Sequence, residues 1–411
     1  MLGEISKSRM KRWYLGKYAV RGWCPTITKP MLSGDGYLVR IYPQLGLLDP
    51  EQLRGIAELG IKFGNTKIDL SNRGSLQIRG VNFDVLDDLS KGLKKLKIIS
   101  DLVQPTSIIC SPFWSKSRKY LDLVDNINIA LSDIPELPKK YSVAIDLEDR
   151  LSLGDLSANI RLEALNSDQY IIRPNKSYRG LLVPLEKAHK LIYQVTKWFL
   201  NKASPEKIGQ TLSSSIFCNE SFPNFGFEEV EQKNFSQEVK LGVFNMGVLV
   251  GVPFGELDCK TLLDLASLEK NVRVTPWRSL FIKNIKSFSH PNLISNAEDP
   301  MVNISACIGK PGCLQANVET RALAQSIAKN EKMLSGKKGS FIKGSTHIHV
   351  SGCSKGCANP SAAKITLVGQ ENEHFNVVVN GKSTDTPTEY NVSHRSIINS
   401  VEKILSSENG V

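Results

Sequence analysis

Cysteine placement constrains this chain more than any other feature. Near its C-terminal end stand Cys307-Ile-Gly-Lys-Pro-Gly-Cys313 and Cys353-Ser-Lys-Gly-Cys357, a C-x5-C and a C-x3-C pair separated by 39 residues. Four thiolates in two local pairs are what a cubane 4Fe–4S cluster requires, one sulfur per iron. Each pair lies among Gly309, Pro311 and Gly312 or Gly352 and Gly356, where glycine lets the backbone wrap closely round a bulky centre. Other readings stay open. Zinc sites use tighter pairs, with two to four residues between ligands, so C-x5-C suits them less well. Disulfides need an oxidising compartment, and no apolar signal segment opens the chain. Buried core thiols account for single cysteines better than for four in Gly-rich loops. Cys110, Cys218 and Cys259 are scattered singly and read as structural, as does Cys24, for which a reactive role stays open.

A chain of 411 residues is long enough for two or three domains. Its 41% hydrophobic and 23% charged residues are ordinary for a folded, water-soluble protein. No run of about 18 apolar residues suggests a transmembrane helix. Residues 1–20 are basic without an apolar stretch and read as a surface arm, so the expected compartment is the cytoplasm. Net charge is +11, from 52 basic and 41 acidic residues. Such a surplus attracts nucleic acid, an acidic protein or a small molecule with many carboxylates, although a plain solvated basic surface accounts for it equally well. The charges are spread along the chain, without a zinc-finger or helix-turn-helix pattern, so nucleic acid is the least supported partner.

The chain also repeats itself. Residues 68–81 and 272–285 align at a constant offset of 204, which sets Ser71 against Thr275, Ser75-Leu76 against Ser279-Leu280 and Arg79 against Lys283. Both segments read as two short strands about a tight turn. Ahead of them, Tyr37–Tyr42 and Gly247–Val252 each read as a strand, followed by a Gly-containing loop and a helix with Asp49 or Asp258 as N-cap. Leu53, Ile56, Ala57 and Leu59, and then Leu262, Leu263, Leu265 and Ala266, supply the apolar stripes of those helices. Each copy is thus β-α-β-β, and the first continues into a helix near Phe83–Leu96. Between the copies, Tyr141–Asp146 reads as a strand and Leu185–Leu200 as an amphipathic helix, whereas 201–213 and 221–237 read as loops. A helix over Thr320–Lys332 is expected between the cysteine pairs, and a hairpin from Lys364–Val368 and His374–Val379 after them.

Duplicated β-α-β-β units with C-x5-C and C-x3-C behind the second copy resemble the nitrite/sulfite reductase superfamily. Within it the chain is most similar to the precorrin-3B synthase family, through Arg21-Gly-Trp-Cys-Pro25, Pro30–Gly36 leading into Leu38-Val-Arg40, Leu76-Gln-Ile-Arg-Gly80, Glu319-Thr-Arg321 and His349–Ala358. The resemblance spans about residues 20–390. It implies an α+β fold in which ferredoxin-like halves at 21–99 and 236–299 form one pseudo-symmetric domain. Two α/β domains, 100–235 and a cluster-binding 300–411, accompany it behind the 1–20 arm. It implies that Cys307, Cys313, Cys353 and Cys357 hold a 4Fe–4S cluster. The implied activity is that of an O2-dependent monooxygenase of cobalamin biosynthesis, which hydroxylates precorrin-3A at C20 and closes the ring A acetate as a γ-lactone.

The same resemblance implies substrate contacts at Arg40, Arg73, Gln77, Arg79 and Lys140. The polycarboxylate substrate would explain the basic surplus, since Arg can hold a carboxylate through two parallel hydrogen bonds. A mononuclear non-haem iron is also implied, for which His347, His349 and His290 are candidate ligands. NADH or a reduced redox protein would supply electrons, and the absence of a G-x-G-x-x-G after a strand favours an external donor. The alternatives are a sirohaem-dependent nitrite or sulfite reductase and a non-catalytic, metal-stabilised polyanion binder. Tyr42, Thr106 and Ser142 stand where the reductases carry bases that grip sirohaem, which disfavours the first of these.

Overall fold

The structure, a computed structural model, describes residues 30–98, 107–114, 117–134, 137, 141–148, 150–154, 156–175, 177–202, 223–233, 236–330 and 347–406. The Arg21–Pro25 motif, Cys218, Thr106 and Lys140 lie outside these residues.

The first copy comprises β1 (Met31–Ser33), β2 (Gly36–Ile41), β3 (Leu47–Leu48), α1 (Pro50–Phe63), β4 (Lys67–Leu70), β5 (Leu76–Val81) and α2 (Leu86–Lys95). A middle region follows, with β6 (Ser107–Cys110), α3 (Ser117–Ser132), β7 (Ser142–Asp146), β8 (Ile160–Ala164), β9 (Tyr170–Pro174), β10 (Arg179–Val183), α4 (Ala188–Lys202) and β11 (Glu229–Glu231). The second copy contributes β12 (Gly242–Phe244), β13 (Gly247–Gly251), β14 (Glu256–Asp258), α5 (Cys259–Ala266), β15 (Val272–Val274) and β16 (Ser279–Lys283). Last come β17 (Ile304–Ala306), α6 (Arg321–Lys329), β18 (Ile348–Ser351), β19 (Ala363–Gln370), β20 (His374–Gly381), β21 (Glu389–Ser393) and α7 (Ile397–Ser406).

Local chemistry starts the helices where the caps stand. Asp49 accepts from the Gln52 amide at 2.8 Å while the Gln52 side chain accepts from the Asp49 amide at 3.1 Å, a reciprocal capping box ahead of Pro50. Asp258 accepts from the Lys260 amide at 2.8 Å and opens α5 in the same manner. The repeat is real down to its turns. Ser71 and Ser75 share a 2.6 Å hydroxyl contact, and Thr275 and Ser279 share one of the same length.

The two copies complete each other's sheets. Sheet order is β1-β2-β5-β4-β14 in one and β12-β13-β16-β15-β3 in the other, so each borrows a short edge strand from its counterpart. Leu257 pairs with Ile68 and Leu48 with Val272. Helices α1 and α5 pack together in one core, where Leu53, Ile56 and Ala57 meet Leu262, Leu265 and Ala266.

The middle sheet runs β11-β10-β9-β8-β7-β6, parallel across β6, β7 and β8 and antiparallel beyond. Arg273 of β15 stacks on Trp114, its guanidinium carbon 3.6 Å from the ring centre, and joins the second copy to this region. The last sheet runs β17-β18-β19-β20-β21, with β17, β18 and β19 parallel. Its core draws on both α6 and α7. The expected loop over 221–237 contains β11, which pairs with β10. A three-residue Glu-Val-Glu edge strand carries too little pattern to announce itself. Residues 201–202, also read as loop, end α4. No helix among the described residues is long and apolar enough to cross a membrane.

Gly46 shows how closely the copies approach. Its φ is +70°, and a Cβ there would lie 2.4 Å from the Val274 carbonyl oxygen. Gly46→Ala is expected to cost about 1–3 kcal/mol in urea unfolding, through left-handed strain and displacement of β15. A stability equal to the parent's would contradict the close approach.

Candidate functional site

The four cysteines reach one place because β17 and β18 are adjacent and parallel. Their C-terminal ends coincide, so the Cys307–Cys313 loop leaves one strand beside the Cys353–Cys357 loop leaving the other. The Cys307 amide donates to the Val350 carbonyl at 3.2 Å, and the Gly352 amide donates to Cys307 Sγ at 3.1 Å. A Cβ on Gly352 would lie 2.7 Å from Ala316 Cβ and 3.5 Å from that sulfur, so glycine is needed for the approach. Cys307, Cys313 and Cys353 are half-buried and Cys357 is exposed, all as free thiols. Partial desolvation and then the sulfurs of Cys307, Cys353 and Cys313 push the Cys357 thiol up, which puts Cys357 within electrostatic reach of the other three. Four thiols on two facing loops, one already accepting a backbone N–H, fit a cluster whose sulfurs take hydrogen bonds from the protein. Among the described residues, no three His, Cys, Asp or Glu gather round a point that would hold a single ion.

The expected substrate contacts separate into two groups. On the first copy's sheet, Val39, Ile41, Ile68, Leu70, Leu76 and Ile78 face the core, which leaves the other face to alternate polar residues. Arg40 and Asp69 both stand opposite Gln77, with Arg79 two positions along. Arg79 is only 2% exposed, and Nε and Nη2 are taken: they go to Asp35 at 2.9 and 2.8 Å, and Nη2 also reaches the Gly312 carbonyl at 2.6 Å. It therefore holds protein rather than presenting a free fork. Arg73 is apart from this group. It lines a cleft with Tyr42, Gln44, Cys110, Asn128 and Pro276, between the first copy's turns and the middle sheet. None of the four site cysteines lines that cleft. Arg40 Nη1 donates to the Tyr42 hydroxyl at 3.4 Å and so bridges cleft and sheet face. Ser142, at a position where the reductases have a base, is buried with its amide donating to Asn159 at 2.8 Å.

Of the histidines, His290 stands beside Asp264 at 3.2 Å, and His347 directly precedes β18. His349 is on β18, fully buried, with neither ring nitrogen hydrogen-bonded. Burial, and then the charge of Arg278, pull its pKa down to about 4, so the ring is neutral at ordinary pH.

Arg278 is the residue the sequence reading missed. It sits at φ +54° in the second copy's turn, at the position corresponding to Gly74 with φ +66° in the first. Holding a long side chain in that conformation costs about 1–2 kcal/mol. Its guanidinium makes no hydrogen bond or ion pair among the described residues. Burial and then Arg321 lower its pKa, while Asp69, Cys307 and Cys357 act the other way, so it stands between the first copy's sheet face and the cysteine loops. The offset of 204 that pairs it with a glycine was the available signal.

These features define a nitrite/sulfite reductase-like fold. Residues 29–96 match the family described as nitrite/sulfite reductase ferredoxin-like half domain. The structure of the Mycobacterium tuberculosis NirA protein superposes with a TM-score of 0.61 over 90% of this chain and 80% of that one, at 16% identity. More particularly, the chain resembles a precorrin-3B synthase of Sinorhizobium sp, at 26% identity over 90% of this chain and 85% of the relative. A ferredoxin–nitrite reductase of Synechococcus elongatus is 22% identical over 84% and 78% of the two chains.

The buried His349 gives a pH test. On acidification the unfolded chain, with a histidine pKa of about 6.5, takes up the proton before the folded one does. Stability conferred by the neutral ring is present above about pH 6.5 and is lost towards pH 4, by on the order of 3 kcal/mol. The stability gap between the parent and His349→Gln should narrow across that range in urea titrations. A gap constant with pH would refute the assignment.

Proposed function

We propose that this chain is a cytoplasmic, O2-dependent monooxygenase of the precorrin-3B synthase type in cobalamin biosynthesis. It hydroxylates precorrin-3A at C20 and closes the ring A acetate as a γ-lactone. The observation that carries the reading is the meeting of Cys307, Cys313, Cys353 and Cys357 on loops from neighbouring parallel strands, in a chain similar to a precorrin-3B synthase over nine-tenths of its length. These four thiolates would hold a 4Fe–4S cluster, which supplies one-electron transfer when bound. One atom of O2 enters the substrate. The other leaves as water, with two electrons and two protons drawn from NADH or a reduced redox protein.

The chain's own residues orient a polycarboxylate. Arg73 in the cleft and Arg40 behind Tyr42 offer guanidinium groups to acetate and propionate arms. Gln77 adds a neutral amide on the buried face, and Lys140 is assigned to the same task by resemblance. Arg79, assigned to the same task by resemblance, also holds the thiol loop through the Gly312 carbonyl.

Anaerobically purified protein should be brown, without haem bands, and contain about four sulfides per chain. It should consume O2 with precorrin-3A. Haem-type bands would favour the reductase reading, and zinc without sulfide would sink both. Within the enzyme, Arg73→Gln should raise KM for precorrin-3A about tenfold or more, as expected for one charge-assisted hydrogen bond. An unchanged KM would remove Arg73 from the substrate site.

A further inference from the structure

The C-x5-C loop is tied at both ends to one buried carboxylate of the first copy. At its far end, the Gly312 carbonyl, directly before Cys313, accepts from Arg79 Nη2 at 2.6 Å, from the Ser33 hydroxyl and from the Gly34 amide at 3.3 Å. Arg79 is gripped on one side by Asp35 through two hydrogen bonds. On the other side its Nη1 lies 3.4 Å from Asp69 Oδ2, a charge contact without hydrogen-bond alignment. At the near end, Thr320 Oγ1 donates to the Cys307 carbonyl at 2.5 Å. The next residue, Arg321, donates through Nη2 to Asp69 Oδ1 at 2.6 Å, and its Nη1 meets Glu256 of β14. Asp69 is 4% exposed, so its charge is compensated by these two guanidinium groups. Burial works against the charge on Arg321, but Asp69 and Glu256 more than offset it.

We propose that Asp69 is the positioning residue of the thiol loop: through Arg79 it fixes the Cys313 arm, and through Thr320-Arg321 it fixes the Cys307 arm. Arg79 and Arg321 cannot both keep their contacts to one carboxylate unless the two arms hold a set separation. Asp69 thereby sets the spacing of two thiols from a strand whose neighbour carries Gln77. The consequence for a cluster rests on the proposed function, whereas the geometry of the loop does not.

The test uses the full-length, metal-free chain and iodoacetamide, with alkylation at each cysteine followed by peptide mass spectrometry. Asp69→Asn should accelerate labelling of Cys307 and Cys313 by about fivefold or more, the factor that about 1 kcal/mol of lost local stability gives. Arg79→Lys should act mainly on Cys313 and Arg321→Lys mainly on Cys307, with Cys353 within about twofold of the parent in both. Uniform acceleration that includes Cys353 and the buried Cys259, or no change in any variant, would overturn the assignment. Failure of the parent to carry iron and sulfide would defeat the cluster reading and leave this result standing.

Discussion

Reciprocal strand exchange between the two copies is the constraint on which the rest of the molecule depends. Because β14 completes the first sheet and β3 the second, neither half has a finished edge alone. The exchange presses α1 against α5 in one core. It turns the first sheet's polar face towards the cysteine loops, while the second packs Leu249 and Phe281, with Arg273 beside Trp114, against the middle region.

That division explains why equivalent positions have diverged. Arg79 and Lys283 occupy the same place in the two copies, yet Arg79 is locked among Asp35, Asp69 and Gly312, while Lys283 lies 5.6 Å from the Trp114 ring beside Arg273. Gly74 and Arg278 share a left-handed backbone, but only the second carries a charge to the thiol loops. Symmetry of the backbone was kept where it builds the core and given up where the faces meet different neighbours.

Much of this was legible in the sequence for physical reasons. Hydroxyls at Ser71, Ser75, Thr275 and Ser279 mark the turns because each pair closes one, and Asp49 and Asp258 mark helix starts because the first amides need acceptors. The exchanged strands β3 and β14 were not legible, since two or three residues carry no periodicity. Asp69 was equally silent: in Ile68-Asp69-Leu70 it reads as the solvent side of an alternating strand, and its partner Arg321 is 252 residues away. The partners of Arg79 were not legible either, since sequence shows its charge and not the two carboxylates beside it.

The long reach of these contacts orders events in time. Arg79 meets Gly312 across 233 residues, and Cys307 waits for Gly352, 45 residues further on, to supply its backbone donor. Closing such distant contacts is the slow part of folding. As the chain leaves the ribosome, the first thiol pair emerges before its facing loop exists and cannot yet be in its final shape. The loop therefore takes its final shape only after the last sheet docks onto the first copy, and until then Cys307 lacks its backbone donor.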